Sequence, residues 1–147
     1  MNEKDRENTV KRYSERLQQF GYSEAALGWS RNKNEVRFEA LVREWKNELE
    51  GCSIAEFGCG FGDLYGYLTN TLGLKNIDYT GIDINPDLVE EGKKLYPNAN
   101  FWVGDINEDV LEKQFDFIFS SGVFNHKLEF VKEYDFIEEC IAKLNEL

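Results

Sequence analysis

The stretch from Ser53 to Gly62 constrains this chain more than any other. Ser53-Ile54-Ala55-Glu56-Phe57 reads as a short strand and runs directly into Gly58-Cys59-Gly60-Phe61-Gly62. Leu64, Tyr67, Leu68 and Leu72 then form the apolar face of a helix, with Gly73 placed to end it. Glycines at such a turn permit sharp bending and let a ligand approach the main chain, because no Cβ occupies the space. The N-terminus of the helix that follows presents free amides to a carboxylate or phosphate.

The rest of the chain repeats the alternation. Tyr79-Thr80-Gly81-Ile82-Asp83 predicts a second strand, after which Asn85 is a helix cap and Pro86 a first-turn proline. Leu88, Val89, Gly92 and Leu95 give that helix an inward face, Glu90 and Lys94 an i,i+4 pair, and Pro97 a stop. Asn100 to Gly104 reads as a third strand and Phe115 to Ser120 as a fourth, while Phe130, Tyr134, Ile137, Ile141 and Leu144 form a terminal helical stripe. About 20 residues separate the first two strands, enough for a crossover helix, so the expected class is α/β with a Rossmann-like parallel sheet, right-handed connections and helices on both faces.

Residues 1–50 differ in texture. Phe38, Leu41, Val42, Trp45 and Leu49 predict a helix ending near Gly51, and Val10, Tyr13, Leu17 and Phe20 a weaker one before it. The expected organisation is one domain: a helical N-terminal cap over 1–50 and a ligand-binding core over 51–147.

Composition narrows the partners. A net charge of −11 disfavours nucleic acid and anionic membranes, since such a surface gains little from phosphate counterion release. No apolar run approaches the roughly 20 residues needed to span a bilayer, and Met1 to Glu7 lacks an apolar signal core, so a soluble, cytoplasmic chain is expected. Cys52, Cys59 and Cys140 never form a CxxC pair, and His126 is the lone histidine. That points to free thiols and to no metal site.

Ligands of open parallel sheets bind beyond the carboxyl ends of the strands. A dinucleotide fingerprint would need a third small residue at position 63, where Asp63 would repel a pyrophosphate. The pattern present, Glu56-x-Gly58-x-Gly60-x-Gly62, resembles the first motif of the class I S-adenosyl-methionine-dependent methyltransferases, and the resemblance extends from Ser53 to about Leu144. It implies strand order 3-2-1-4 and S-adenosyl-methionine as cofactor, held by Glu56, Gly58, Cys59, Gly60 and Gly62. It further implies that Asp83, with Ile84, binds the ribose; a plain helix-cap Asp is the alternative. Asp105 would accept from the exocyclic amine of adenine and Ile106 pack on the base, unless Asp105 is only a turn acid.

Ser120, Ser121 and the segment through Asn125 fall where the family places groups near the sulfonium. They lack the Asn/Asp-Pro-Pro-aromatic signature of methyltransferases acting on the amino groups of bases or glutamine. Asn125 and His126 are candidates to orient the acceptor and take its proton, or else are solvated loop residues, and Trp29 is a candidate lid residue.

The expected function is methyl transfer to a small-molecule or protein acceptor. The alternatives are a non-catalytic cofactor-binding or regulatory domain and, less well supported, a nicotinamide-dependent oxidoreductase. The family has further strands after the fourth, so the domain is expected to be incomplete at its C-terminus. The unpaired edge of the fourth strand would then self-associate or lie under the terminal helix, and catalysis would be weakened.

Overall fold

The computed structural model describes residues 1–30, 33–109, 111–125 and 128–147. Its centre is a four-stranded parallel sheet built from β1 (Ser53–Phe57), β2 (Asp78–Asp83), β3 (Asn100–Val103) and β4 (Phe117–Ser120) in the order β3-β2-β1-β4. This is the expected order. Register is tight at the carboxyl ends, where Phe57 lies opposite both Ile82 and Ser120, and Asp83 opposite Val103. The turns that follow these strands are thereby gathered along one rim.

Alternation along the strands splits the core. On one face Ile54, Tyr79 and Phe119 pack with Leu64, Leu68, Phe38 and Val42, the last two from α2 (Asn34–Val42). On the other face Ala55, Phe57 and Ile82 pack with Ile106, Leu128, Phe136 and Cys140, the last two from α5 (Glu133–Leu144). Burying apolar groups on both faces is what a parallel sheet requires. Cys59 and Cys140 are buried free thiols, and Cys52 is a half-buried one.

Several elements differ from the sequence expectation. The second helix ends at Val42 rather than near Gly51, because the chain continues in i→i+3 turns, Trp45 N to Val42 O at 2.9 Å and Glu48 N to Trp45 O at 2.7 Å. Leu49 is still buried, but Trp45 turns outward. The helix after β1 is only four α-helical residues, α3 (Asp63–Gly66), and then widens into a π-turn over Tyr67–Thr71 closed by Leu72 N on Tyr67 O at 3.1 Å. In α4 (Pro86–Leu95), Lys94 pairs with Glu91 at 3.4 Å, not with Glu90. The terminal stripe is out of phase: α5 buries Phe136 and Cys140, while Tyr134 and Ile141 face solvent. Phe136 and Cys140, one residue before Ile137 and Ile141, pack in the cluster with Phe57, and of the expected stripe Leu144 still packs against it.

The N-terminal helix α1 (Glu3–Phe20) is the longest helix, against the expectation of a weak one. Side-chain bonds fix it to the core. Asn85, 1% exposed, caps α4 by accepting from Asp87 N at 2.9 Å and Leu88 N at 3.2 Å, and donates its amide hydrogens to Val10 O at 3.0 Å and Ser14 Oγ at 3.3 Å. Buried Asp5 accepts from the amides of Glu129 at 2.9 Å and Phe130 at 3.2 Å. Thus α1 lies across the rim where β2 and β4 end. Among the described residues none adds a fifth strand beside β4, and none of their helices is long and apolar enough to cross a membrane.

Candidate active site

A cleft opens at the rim, floored by Phe57, Gly58, Gly60, Asp83, Ile84 and Asp105 and closed from above by Met1, Thr9 and Tyr13 of the N-terminal segment. Leu27, Trp29, Ser121 and Gly122 form its side. The glycines are required by the packing. Gly58 has φ +72°, and a Cβ there would stand 2.0 Å from Val123 Cγ2; Gly60 has φ +55°, and its Cβ would meet Leu27 at 3.1 Å. Both angles lie in the left-handed region that side chains avoid.

Asp83 is the anchor of the cleft. Its Oδ2 accepts from Gly60 N at 2.8 Å and its Oδ1 from Asn85 N at 2.9 Å, so one carboxylate ties the glycine turn to the start of α4. Burial pushes its carboxyl up from the ordinary range, while the amides of Asn85, Gly60 and Ile84 pull it back down. Each oxygen retains a lone pair for a further donor. Asp83 is therefore not the cap of α4, a role that Asn85 fills.

Asp105, 3% exposed, sits at the far end of the cleft. Its Oδ1 accepts from Asn107 N at 3.0 Å, and its Oδ2 lies 3.4 Å from the N-terminal ammonium of Met1. Buried Oδ2 thus faces a cation that fills part of the cleft, and the void that remains measures about 100 Å³.

Six of the residues anticipated around the cofactor line this cleft: Gly58, Gly60, Asp83, Ile84, Asp105 and Ser121. Glu56, Cys59, Gly62, Ile106 and Ser120 stand behind it. Ile106 is in the core, Cys59 is buried with its thiol pushed up by desolvation, and a Cβ on Gly62 would collide with the Phe101 ring at 2.7 Å. Glu56 is buried and accepts a short hydrogen bond from Tyr79 OH; burial, with the field of Asp63, raises its carboxyl to about 8 against the opposing pull of Tyr79. Nearby Asp63 accepts from Tyr22 OH at 2.7 Å and Tyr96 OH at 3.3 Å, and burial raises it also.

Asn125 lies in a single 3₁₀ turn (Val123–Asn125) and lines an adjoining cavity; His126 falls outside the described residues. Trp29 lines both spaces, with the Arg37 guanidinium 3.5 Å above its ring centroid. Sequence reasoning missed Met1, Thr9, Tyr13, Leu88 and Phe136 as cleft residues. Only the helical spacing of Thr9 and Tyr13 offered a signal, and nothing in it named the surface they face.

The fold and this rim define the class of Rossmann-like methyltransferases. Residues 54–146 match a family model described as a methyltransferase domain, and the chain belongs to that family. It is 35% identical over 86 residues to a Mycobacterium tuberculosis protein provisionally named methyltransferase Rv1506c, which covers 56% of this chain and 48% of that one. It is 36% identical over 75 residues to malonyl-[acyl-carrier protein] O-methyltransferase 1 of Ilyobacter polytropus, covering 49% of this chain and 27% of that one. The chain therefore spans about half, or less, of the length of these relatives. Among solved structures, a TehB-like SAM-dependent methyltransferase from Corynebacterium glutamicum superimposes with a TM-score of 0.59 at 27% identity, over 93% of this chain and 65% of that one.

Proposed function

We propose that the cleft binds S-adenosyl-methionine and that the protein transfers its methyl group to an acceptor seated beside it. The observation that carries this reading is Asp83, a partly desolvated carboxylate at the end of β2, bonded to the glycine turn at the end of β1. Two acceptor oxygens at that point suit a pair of ribose hydroxyls. The family match and the solved structure of a SAM-dependent relative support the same ligand.

The other residues fit the parts of that molecule. Gly58 and Gly60 line the cleft with main chain, and the places their side chains would take are held by Val123 and Leu27. Asp105 Oδ2 takes the exocyclic amine of adenine in place of the Met1 ammonium, so Met1 withdraws when the cleft fills. Ser121 and Gly122 face the sulfonium end. When bound, the sulfonium would supply an activated methyl carbon open to in-line attack by an acceptor lone pair, the C–S electron pair leaving with the sulfur. The protein's part is alignment and exclusion of water, for which Tyr13, Leu27 and Trp29 close the side of the cleft.

Native mass spectrometry of the chain mixed with S-adenosyl-homocysteine tests the ligand assignment. One equivalent retained is expected, and retention of NAD instead would contradict it.

A further inference from the structure

A second cavity, about 280 Å³, opens beside the cofactor cleft. Its lining is Arg12, Tyr13, Arg16, Leu27, Gly28, Trp29, Gly122 and Asn125, and Tyr13, Leu27, Trp29 and Gly122 form a wall common to both spaces. The charge of this lining is unusual for the molecule. In a chain of net charge −11 its lining among the described residues carries two arginines and no acid, whereas another cavity, of about 430 Å³, carries Glu24, Glu35 and Asp63.

The two arginines differ in freedom. Arg16 is committed in part, its Nε donating to Ala26 O at 3.0 Å and its Nη2 to Ala25 O. That fixes the loop carrying Leu27 and Trp29. Arg12 lies one helical turn before it on α1, is exposed, and has no ion pair among the described residues. Its guanidinium keeps its planar fork of donors, the geometry that matches a carboxylate in two places. Burial raises the Tyr13 phenol; of the charges around it Arg12 lowers it, Asp83 raises it and Arg16 lowers it, so the field of both arginines reaches the wall. Neither the glycine turn nor Asp83 lines this cavity, so an anion held there lies beyond Leu27 and Trp29 from the cofactor's anchors.

We propose that this cavity is the acceptor site and that it takes a small molecule bearing a carboxylate, gripped by Arg12 with Arg16 behind it. The inference rests on reading the neighbouring cleft as the cofactor site. The size of the cavity suits a small acceptor, the half-buried rings of Tyr13 and Trp29 supply the apolar contact, and the Asn125 amide is placed to orient a polar group.

The test uses the whole chain saturated with S-adenosyl-homocysteine and titrated by NMR with benzoate and succinate, each beside its neutral amide. At least one carboxylate is expected to bind ten times more tightly than its amide. Arg12→Ala should reduce that preference below threefold and Arg12→Lys restore part of it, with S-adenosyl-homocysteine affinity unchanged within threefold in both. Equal binding of acid and amide, total absence of binding included, overturns the proposal. So does a preference that survives Arg12→Ala. Loss of S-adenosyl-homocysteine binding in Arg12→Ala would assign the arginine to the cofactor's own carboxylate and also overturn it. Failure of the wild type to bind S-adenosyl-homocysteine is a distinct result, and it overturns the cofactor reading itself.

Discussion

Gly60 N donates to Asp83 Oδ2 at 2.8 Å, so the turn after β1 and the acid after β2 form one unit rather than two neighbouring features. A ligand that bonds Asp83 therefore meets a carboxylate already oriented by main-chain amides. Asp83→Ala removes a charge-assisted acceptor worth roughly 1.5–3 kcal/mol, or about ten- to a hundredfold in affinity. Calorimetric titration with S-adenosyl-homocysteine should show that loss with the fold retained, and a change below threefold would mean that Asp83 only holds the turn.

Gly60→Val should weaken the same ligand more than tenfold. The substitution puts a β-branched side chain at φ +55° and drives its Cβ against Leu27 at 3.1 Å. Leu27 can shift, so the circular dichroism spectrum should stay that of the wild type while binding is lost. Wild-type affinity would remove the turn from the site.

Glu56 makes stability depend on pH in a predictable direction. Its carboxyl rises from 4.5 to about 8 on folding, chiefly through burial, so the folded chain holds a proton that the unfolded chain releases between those values. The contribution of the neutral form is complete below pH 4.5 and is lost as pH rises toward 8, at about 1.4 kcal/mol per pH unit for one proton. Glu56→Gln lacks this titration and can still accept from Tyr79. Urea unfolding at pH 5 and pH 8 should show the variant gaining on the wild type as pH rises; a constant difference would contradict the assignment.

Asn85→Ala should cost roughly 1–2 kcal/mol through the lost cap of α4. It also severs the bonds to Val10 O and Ser14 Oγ, so α1 should become the first segment cut in limited proteolysis. An unchanged cleavage pattern would show that Asp5 and the packing of Tyr13 and Leu17 suffice to hold the helix.

Much of this arrangement was legible in the sequence because it is encoded locally. The glycine turn, the Asn85-Pro86 cap and the acid closing β2 each occupy a few contiguous residues; strand spacing carried the parallel sheet, and the 3-2-1-4 order came with the resemblance to the methyltransferase family. What failed depends on distant partners. The phase of α5 was misread because Phe136 and Cys140, packed with Ala55, Phe57 and Ile82, take the sheet face that the stripe through Tyr134 and Ile141 was expected to fill. The π-turn at Tyr67–Thr71 leaves no periodic trace that a five-residue window could separate from an α-helix. Met1 entered the cleft unannounced, because its place depends on α1 docking through Asp5 and Asn85. Arg12 and Arg16 were invisible as a pair for the same reason, being two of 17 basic residues until the helix sets them beside Trp29.

The central claim is that the rim cleft is built for S-adenosyl-methionine, and thermal unfolding with competing ligands tests it most directly. At a hundredfold excess over its dissociation constant, a ligand confined to the folded state adds about 2.7 kcal/mol, a shift of several degrees for a chain of this size. S-adenosyl-homocysteine should raise the unfolding temperature by that much in the wild type and far less in Asp83→Ala, while NAD should leave both unchanged. Stabilisation by NAD without any by S-adenosyl-homocysteine would contradict the account.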